Sequence, residues 1–157
     1  MPADENNSGR VSLVTFRLDD RHFALHLSVV DRVLPAAAPT PLPGAPPIVL
    51  GVLDVAGAIV PVVDIRQRFG LPPRDIELSD RIIVARTERR TLALIANTVN
   101  GVIEVPADAV MTPTAVFPGP EYVEGVVQLA DGLVLIHNLE MFLSLDEEQA
   151  LDQAITS

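Results

Sequence analysis

The chain repeats itself, and that repetition limits its fold more than any other feature. Ile48 to Ile65 reads Ile-Val-Leu-Gly-Val-Leu-Asp-Val-Ala-Gly-Ala-Ile-Val-Pro-Val-Val-Asp-Ile. Tyr122 to Leu139 reads Tyr-Val-Glu-Gly-Val-Val-Gln-Leu-Ala-Asp-Gly-Leu-Val-Leu-Ile-His-Asn-Leu. Gly51 aligns with Gly125 at an offset of 74 residues, and Arg21–Leu27 aligns with Arg90–Ala96 at an offset of 69. A loop insertion accounts for the difference. Two copies of one β-rich unit, neither carrying an obvious catalytic cluster, point to a binding module.

Each copy is roughly 75 residues, a size that buries too little surface to be secure alone, so the halves are expected to pack together or interlock. Hydrophobic residues make up 48% of the 157 residues and aromatics only 4%, which predicts a core of Val, Leu, Ile and Ala. With 21 acidic and 11 basic residues the formal charge is −10, and a general attraction to nucleic acid or anionic membrane is not expected. Arg86–Arg90 forms a local basic patch, read as a solvated hairpin end. The absence of cysteine removes disulfides, zinc–thiolate sites and thiol catalysis, and suits a reducing cytosol. Met1–Gly9 lacks the apolar run of a secretion signal, and no apolar stretch is long enough to span a bilayer.

Residues 1–10 read as a disordered arm. Val11–Leu18 is a strand with both faces partly covered, Asp19–Arg21 a turn, and His22–Leu27 the return strand. Ser28 is placed as the cap of a helical turn carrying Val29, Val30, Val33 and Leu34. Residues 35–47 hold six prolines and are expected to wrap a surface as a rigid connector, with a polyproline ligand as the alternative. A hairpin follows with its turn at Ala56-Gly57, and Pro61 argues for an edge strand or a bulge. Asp64 is predicted to cap a short helix that Gly70 ends. The second copy gives strands over Arg81–Thr87 and Thr91–Val99. Asn100-Gly101 is either a turn or a bulge in a strand running on to Val105. Pro106–Val110 is a short helical turn and Met111–Glu121 a loop. The final hairpin turns at Asp131-Gly132. Asn138 is expected to cap a helix that runs through Met141, Phe142 and Leu145, with an extension to Ile155 or a fraying polar tail over Asp146–Ser157 as the alternatives. The predicted architecture is two small β-barrels, each packed solid.

Asp54 and Asp64 form the candidate acid pair, but their counterparts are Gln128 and Asn138, and two carboxylates need a shared enclosed site before their pKa values separate. His22 and His26 face one side of a strand yet stand about 13 Å apart, too far for joint metal ligation. His137, in the place of Val63, is expected as a half-buried sheet residue. The glycines sit singly at turns, without the spacing of a phosphate-binding loop. Gly51 and Gly125, inside strands, predict a close backbone approach at the same corner of both barrels. No catalytic residue, cofactor or metal site is assigned. Val55, Ile59 and Val30 are candidates for an exposed partner patch, with ordinary core as the alternative.

The run from Gly51 to Arg66, followed by Phe69, resembles the signature hairpin of the CheW-like chemotaxis coupling proteins. There the stretch usually reads Gly-Val-Ile-Asn-Leu-Arg-Gly, then apolar residues, then Pro-Val-Ile-Asp-Leu-Arg. Phe16-Arg17-Leu18, Phe23-Ala24-Leu25, Val30, Val33, Leu94–Val99 and Gly125 fit as well, so the resemblance covers about residues 11–145. It implies a mainly all-β fold of two five-stranded SH3-like barrels sharing a hydrophobic core, with short helices and a C-terminal helix. The implied organisation is an arm over 1–10, intertwined barrels of roughly 11–80 and 81–140 within a domain of 11–145, and a helix and tail over 138–157. It implies a non-enzymatic, cytoplasmic scaffold recruited to membrane-associated receptor arrays. The implied partners are the regulatory domain of a CheA-type histidine kinase, the cytoplasmic tip of a chemoreceptor and other CheW-like domains. The implied partner-binding residues are Val30, Arg32, Val33, Asp54, Val55, Ala56, Gly57, Ile59 and Val99. The family usually carries Asn and Arg where this chain has Asp54 and Ala56, often an acid where it has Arg32, and often Val-Asp where it has Ala96-Asn97. These departures bear on partner choice. An accessory protein that binds the kinase or another CheW-like domain without the receptor is the alternative. A small β-barrel enzyme or ligand-binding protein is the alternative from another class.

Overall fold

The computed structural model describes residues 9–112 and 123–156. Most of the expected N-terminal arm, and most of the loop containing Pro113, Pro118 and Pro120, lie outside the described residues. The first copy supplies β1 (Arg10–Leu18), β2 (Arg21–His26), β3 (Val30–Pro35), β4 (Val49–Val55) and β5 (Ala58–Val63). The second supplies β6 (Arg81–Arg86), β7 (Thr91–Ala96), β8 (Thr98–Pro106), β9 (Val123–Leu129) and β10 (Gly132–His137).

The described residues build two five-stranded sheets, ordered β8-β1-β2-β10-β9 and β3-β6-β7-β5-β4. Neither sheet follows one sequence copy. Each takes an antiparallel pair from one copy and three strands from the other, and joins the two sets by a parallel pairing, β2 with β10 and β7 with β5. One compact unit holds β1, β2 and β8–β10, and the other holds the sheet of β3–β7 with the C-terminal helix. The units therefore cut across the copies and do not divide near residue 80.

Each unit has its own aliphatic core, and the two cores match by the repeat. Leu13, Ala24, Val134 and Ile136 cluster in one; Ile82, Ala93, Val60 and Val62 cluster in the other. Alternation along each strand turns these side chains inward, where removal of apolar surface from water drives folding. Phe16 and Phe23, fully buried, stack at 5.9 Å in the first unit.

The two glycines mark the same device in both units. Beside Gly51, Thr40 and Val52 exchange two backbone hydrogen bonds of 2.9 and 2.8 Å. Beside Gly125, Met111 and Val126 exchange two of 2.8 and 3.0 Å. A Cβ on Gly51 would strike the Thr40 carbonyl, and one on Gly125 the Val110 side chain, both well inside contact distance. Register slips at the same place in each hairpin, leaving Leu50 and Glu124 as the extra residues of a bulge. The proline-rich connector meets β4 at the Thr40–Val52 bridge.

Several local expectations change. The helical turn placed over Ser28–Leu34 is a three-residue 3-10 turn, Leu27–Val29, followed at once by β3. Val30 and Val33 are β-branched and favour the extended chain, and Leu34 packs against the second core. Pro61 lies in β5, which is flanked by β4 and β7 and is not an edge. It is tolerated because the β7 ladder starts one residue later, at Val62. Between the alternatives for Asn100-Gly101, the bulged strand is found: Thr15 pairs with Gly101 and Phe16 with Val99, and Asn100 is extra. The last hairpin turns at Ala130-Asp131, one residue earlier than expected, because Leu129 pairs with Gly132. His137 is fully buried, 2% exposed, where a half-buried residue was expected.

The C-terminal expectation is corrected most. Asn138 makes no side-chain cap and only a 3-10 turn follows, Leu139–Met141. A separate helix spans Leu145–Thr156. Ser144 and Glu147 form a reciprocal capping box, Glu147 N–H to Ser144 Oγ at 3.1 Å and Ser144 N–H to Glu147 Oε1 at 2.9 Å. Three acids in the first turn also complement the helix dipole. Of the alternatives for this segment the helix reaching Ile155 is found, with its own cap.

Candidate partner-binding surface

The β4–β5 hairpin is built to hold a rigid tip. Val55 pairs with Ala58, leaving Ala56 and Gly57 as the two turn residues, with φ of +52° and +89°. Positive φ at both positions is the turn geometry that matches strand twist. Asp54 fixes it by accepting the Gly57 N–H at 2.8 Å. Asp54 and Ile59 are cross-strand partners and both are exposed, Ile59 by 56%. Val55 and Val60 point the other way, into the core.

A cleft of about 420 Å³ opens beside this tip. Its walls are Asp31 and Arg32 from β3, Ala56 and Ile59 from the hairpin, Arg90 from the β6–β7 turn and Ile155 from the C-terminal helix. Arg32 donates from Nε to Asp31 at 3.0 Å, and its side chain stays 46% exposed. Four of the nine residues expected at a partner site line the cleft: Arg32, Val55, Ala56 and Ile59. Val55 is mostly core. Asp54 and Gly57 sit at the tip beside it. Val30, half-buried, and Val33, exposed, flank Arg32 on β3 without lining it. Val99 belongs to the other sheet, on β8 opposite Phe16.

Ion pairs bind the C-terminal helix to the unit of β3–β7. Arg68 pairs with Glu147. Arg90 donates from Nε to Glu148 at 2.8 Å and also pairs with Asp152. The side chains of Arg90 and Glu148 are only 13% and 9% exposed, so this pair lies away from most solvent screening. Burial pulls the Arg90 pKa down, but its hydrogen bonds to Asp152 and Glu148 outweigh that and raise it. At the hairpin end read as a solvated basic patch, Arg86 and Arg89 are exposed as expected and Arg90 is an anchor. Leu151 and Ala154 add the apolar contact surface. Arg90 and Ile155 were not legible as lining residues of this cleft because their partners are distant in sequence. The Ser144-to-Glu147 spacing was the one legible signal.

The remaining polar residues have structural duties. Asp64 caps the short helix Ile65–Arg68 by accepting the Gln67 N–H at 3.3 Å, so Asp54 and Asp64 each serve a separate backbone cap. Arg74 donates to buried Asp80 at 2.8 Å and pairs with Glu77 at 3.0 Å, in a second hollow of about 330 Å³. The hydrogen bond to Asp80 raises the Arg74 pKa. His26 pairs with the bulge residue Glu124. His137 packs against Phe142 with ring centroids 5.3 Å apart, and burial pushes its pKa down to about 3. Among the described residues no three His, Cys, Asp or Glu gather as a metal site would require, and no helix is long and apolar enough to cross a membrane.

Two small barrels with aliphatic interiors and an exposed hairpin tip are the build of a scaffold, a protein that offers its surface to other proteins. Residues 12–147 match the CheW-like domain, and the chain belongs to that family of adaptors. It is 26% identical over 147 residues to a probable chemotaxis protein CheW of Rhizobium etli, covering 92% of this chain and 94% of that one. It is 28% identical to the chemotaxis protein CheW of Rhizobium meliloti with the same coverage. Protein FrzA of Myxococcus xanthus is 31% identical over 114 residues, 72% of this chain and 71% of that one. The crystal structure of the scaffolding protein TtCheW from Thermoanaerobacter tengcongensis superposes with a TM-score of 0.79 at 25% identity, covering 87% of this chain and 94% of that one.

Proposed function

We propose that this adaptor works in the cytoplasm, coupling the cytoplasmic tip of a chemoreceptor to the regulatory domain of a CheA-type histidine kinase. The observation that carries the proposal is the hairpin tip: Ile59 is held 56% exposed beside Arg32 and Ala56, on a barrel whose inward residues are already satisfied. A large apolar side chain held out by a rigid turn is an anchor for a partner, and such anchors carry a large share of binding energy. Membership in the CheW-like family supplies the partner classes. The experiment is separate titration of the chain with a receptor-tip fragment and with the kinase regulatory domain. Ile59→Glu is expected to weaken receptor binding at least tenfold.

A second function has its own support. Ala56 offers no guanidinium at the tip, and Arg32 supplies a cation on the facing strand. An accessory adaptor that engages the kinase alone would show kinase binding and no receptor binding in the same titrations. Ala56→Arg tests whether position 56 sets the choice: a gain of receptor binding supports it, and an unchanged titration assigns the discrimination elsewhere.

A further inference from the structure

We propose that the last turn of the C-terminal helix belongs to the partner-binding surface, with Ile155 as an apolar wall that receives a partner helix carrying a carboxylate toward Arg32. The inference rests on the receptor-coupling role proposed above and extends its contact surface to a segment that looked like a polar tail.

The anchoring of the helix comes first. Its start is fixed by the Ser144–Glu147 box and by Arg68 on Glu147. Its middle is fixed by Arg90, which holds Glu148 and Asp152 together. Those two acids are four residues apart and lie on one face, so a single guanidinium sets both the rotation and the axial position of the helix. Leu151, fully buried, and Ala154 lie along the anchored side. With rotation fixed in this way, Ile155 lines the cleft that also exposes Ile59, and it remains 38% exposed. An isoleucine held there by three ion pairs is presented to the cleft, which a frayed tail would not achieve.

The chemistry of the occupant follows from the walls. Ile59, Ala56 and Ile155 offer apolar surface, which suits the apolar ridge of an amphipathic helix. Asp31 takes only the Nε of Arg32, so the outer edge of that guanidinium is available to donate to a carboxylate in bidentate fashion. Arg90 is occupied by Glu148 and Asp152 and contributes position, not recognition.

The test titrates the full chain and its variants with a receptor-tip fragment, and in parallel with the kinase regulatory domain. Ile155→Glu is expected to weaken receptor binding at least tenfold while leaving the thermal melt and kinase binding unchanged. Arg32→Glu is expected to weaken it similarly and to remove part of its salt dependence. Arg90→Gln, which releases the helix, should weaken receptor binding even with Ile155 intact. If Ile59→Glu abolishes binding and Ile155→Glu binds like the parent chain, the cleft stands as the site and the helix is excluded from it. If the parent chain does not bind the receptor fragment at all, both the coupling role and the helix contribution fall.

Discussion

The hairpins β4–β5 and β9–β10 descend from one sequence and differ where it matters. Inside they agree: Val60 and Val62 occupy the core of one unit as Val134 and Ile136 occupy that of the other, and the bulges at Leu50 and Glu124 coincide. Outside they part. The first tip is a turn braced by Asp54, with Ile59 exposed and a capped helix beside its cleft. In the second, Gln128 replaces Asp54 and the bulge residue Glu124 is taken up by His26. Even the exits differ: Asp64 caps an α-helical turn, whereas Asn138 leaves its side chain out and only a 3-10 turn forms. Packing constrains both copies alike, and the surfaces were left to diverge.

The largest expected effect at neutral pH probes the shared device. Gly51→Ala sets a Cβ against the backbone carbonyl of Thr40, which its ladder hydrogen bonds hold, while Gly125→Ala meets a methyl group of the half-buried Val110 side chain. Gly51→Ala should cost about 3 kcal/mol and Gly125→Ala about 1 kcal/mol, read as urea midpoints. Equal losses would mean the two connectors yield equally and the comparison breaks.

A second effect, absent at neutral pH and growing as pH falls, separates His137 from its counterpart Val63. The folded-state pKa of His137, about 3, lies below the ordinary value of 6.5, so the unfolded chain binds the extra proton between those values. Stability is full above pH 6.5 and falls as pH drops toward 3, by at most about 1.4 kcal/mol per pH unit from this group. His137→Val should flatten that part of the pH–stability curve. An unchanged slope would place the linkage on other groups.

The smallest effect concerns the exits. Asp64→Ala should cost about 1 kcal/mol by chemical denaturation, and Asn138→Ala close to nothing. Comparable losses would show that Asn138 caps in solution after all.

The sheet pattern was legible because alternation and duplication are local signals: Val11–Leu18 and the Ile48–Ile65 hairpin could be read residue by residue. Asp64 as a cap and Gly51 as a point of close approach were legible for the same reason. What escaped depended on tertiary partners. β3 looked helical from its cap-like Ser28, and its extended form depends on its place beside β6. Pro61 read as an edge or bulge residue; the hairpin has a bulge, at Leu50 on the opposite strand, but β5 is not an edge, because the start of the β7 ladder cannot be seen in a single strand. Arg90 looked solvated because Glu148 lies 58 residues away. Of the candidate cleft, the hairpin tip was written in contiguous residues; the wall formed by the C-terminal helix was not.

The crossing of third strands has a consequence for how the chain could be cut. β3 joins the sheet of β6 and β7, and β8 joins that of β1 and β2. A half-molecule ending between Val63 and Arg81 would carry β3, β4 and β5 without the pair that they flank. The complementary half would lack its own foundation in the same way. Neither fragment has a sheet to finish by itself, and two separately expressed halves should regain structure only on mixing, each supplying the missing middle of the other.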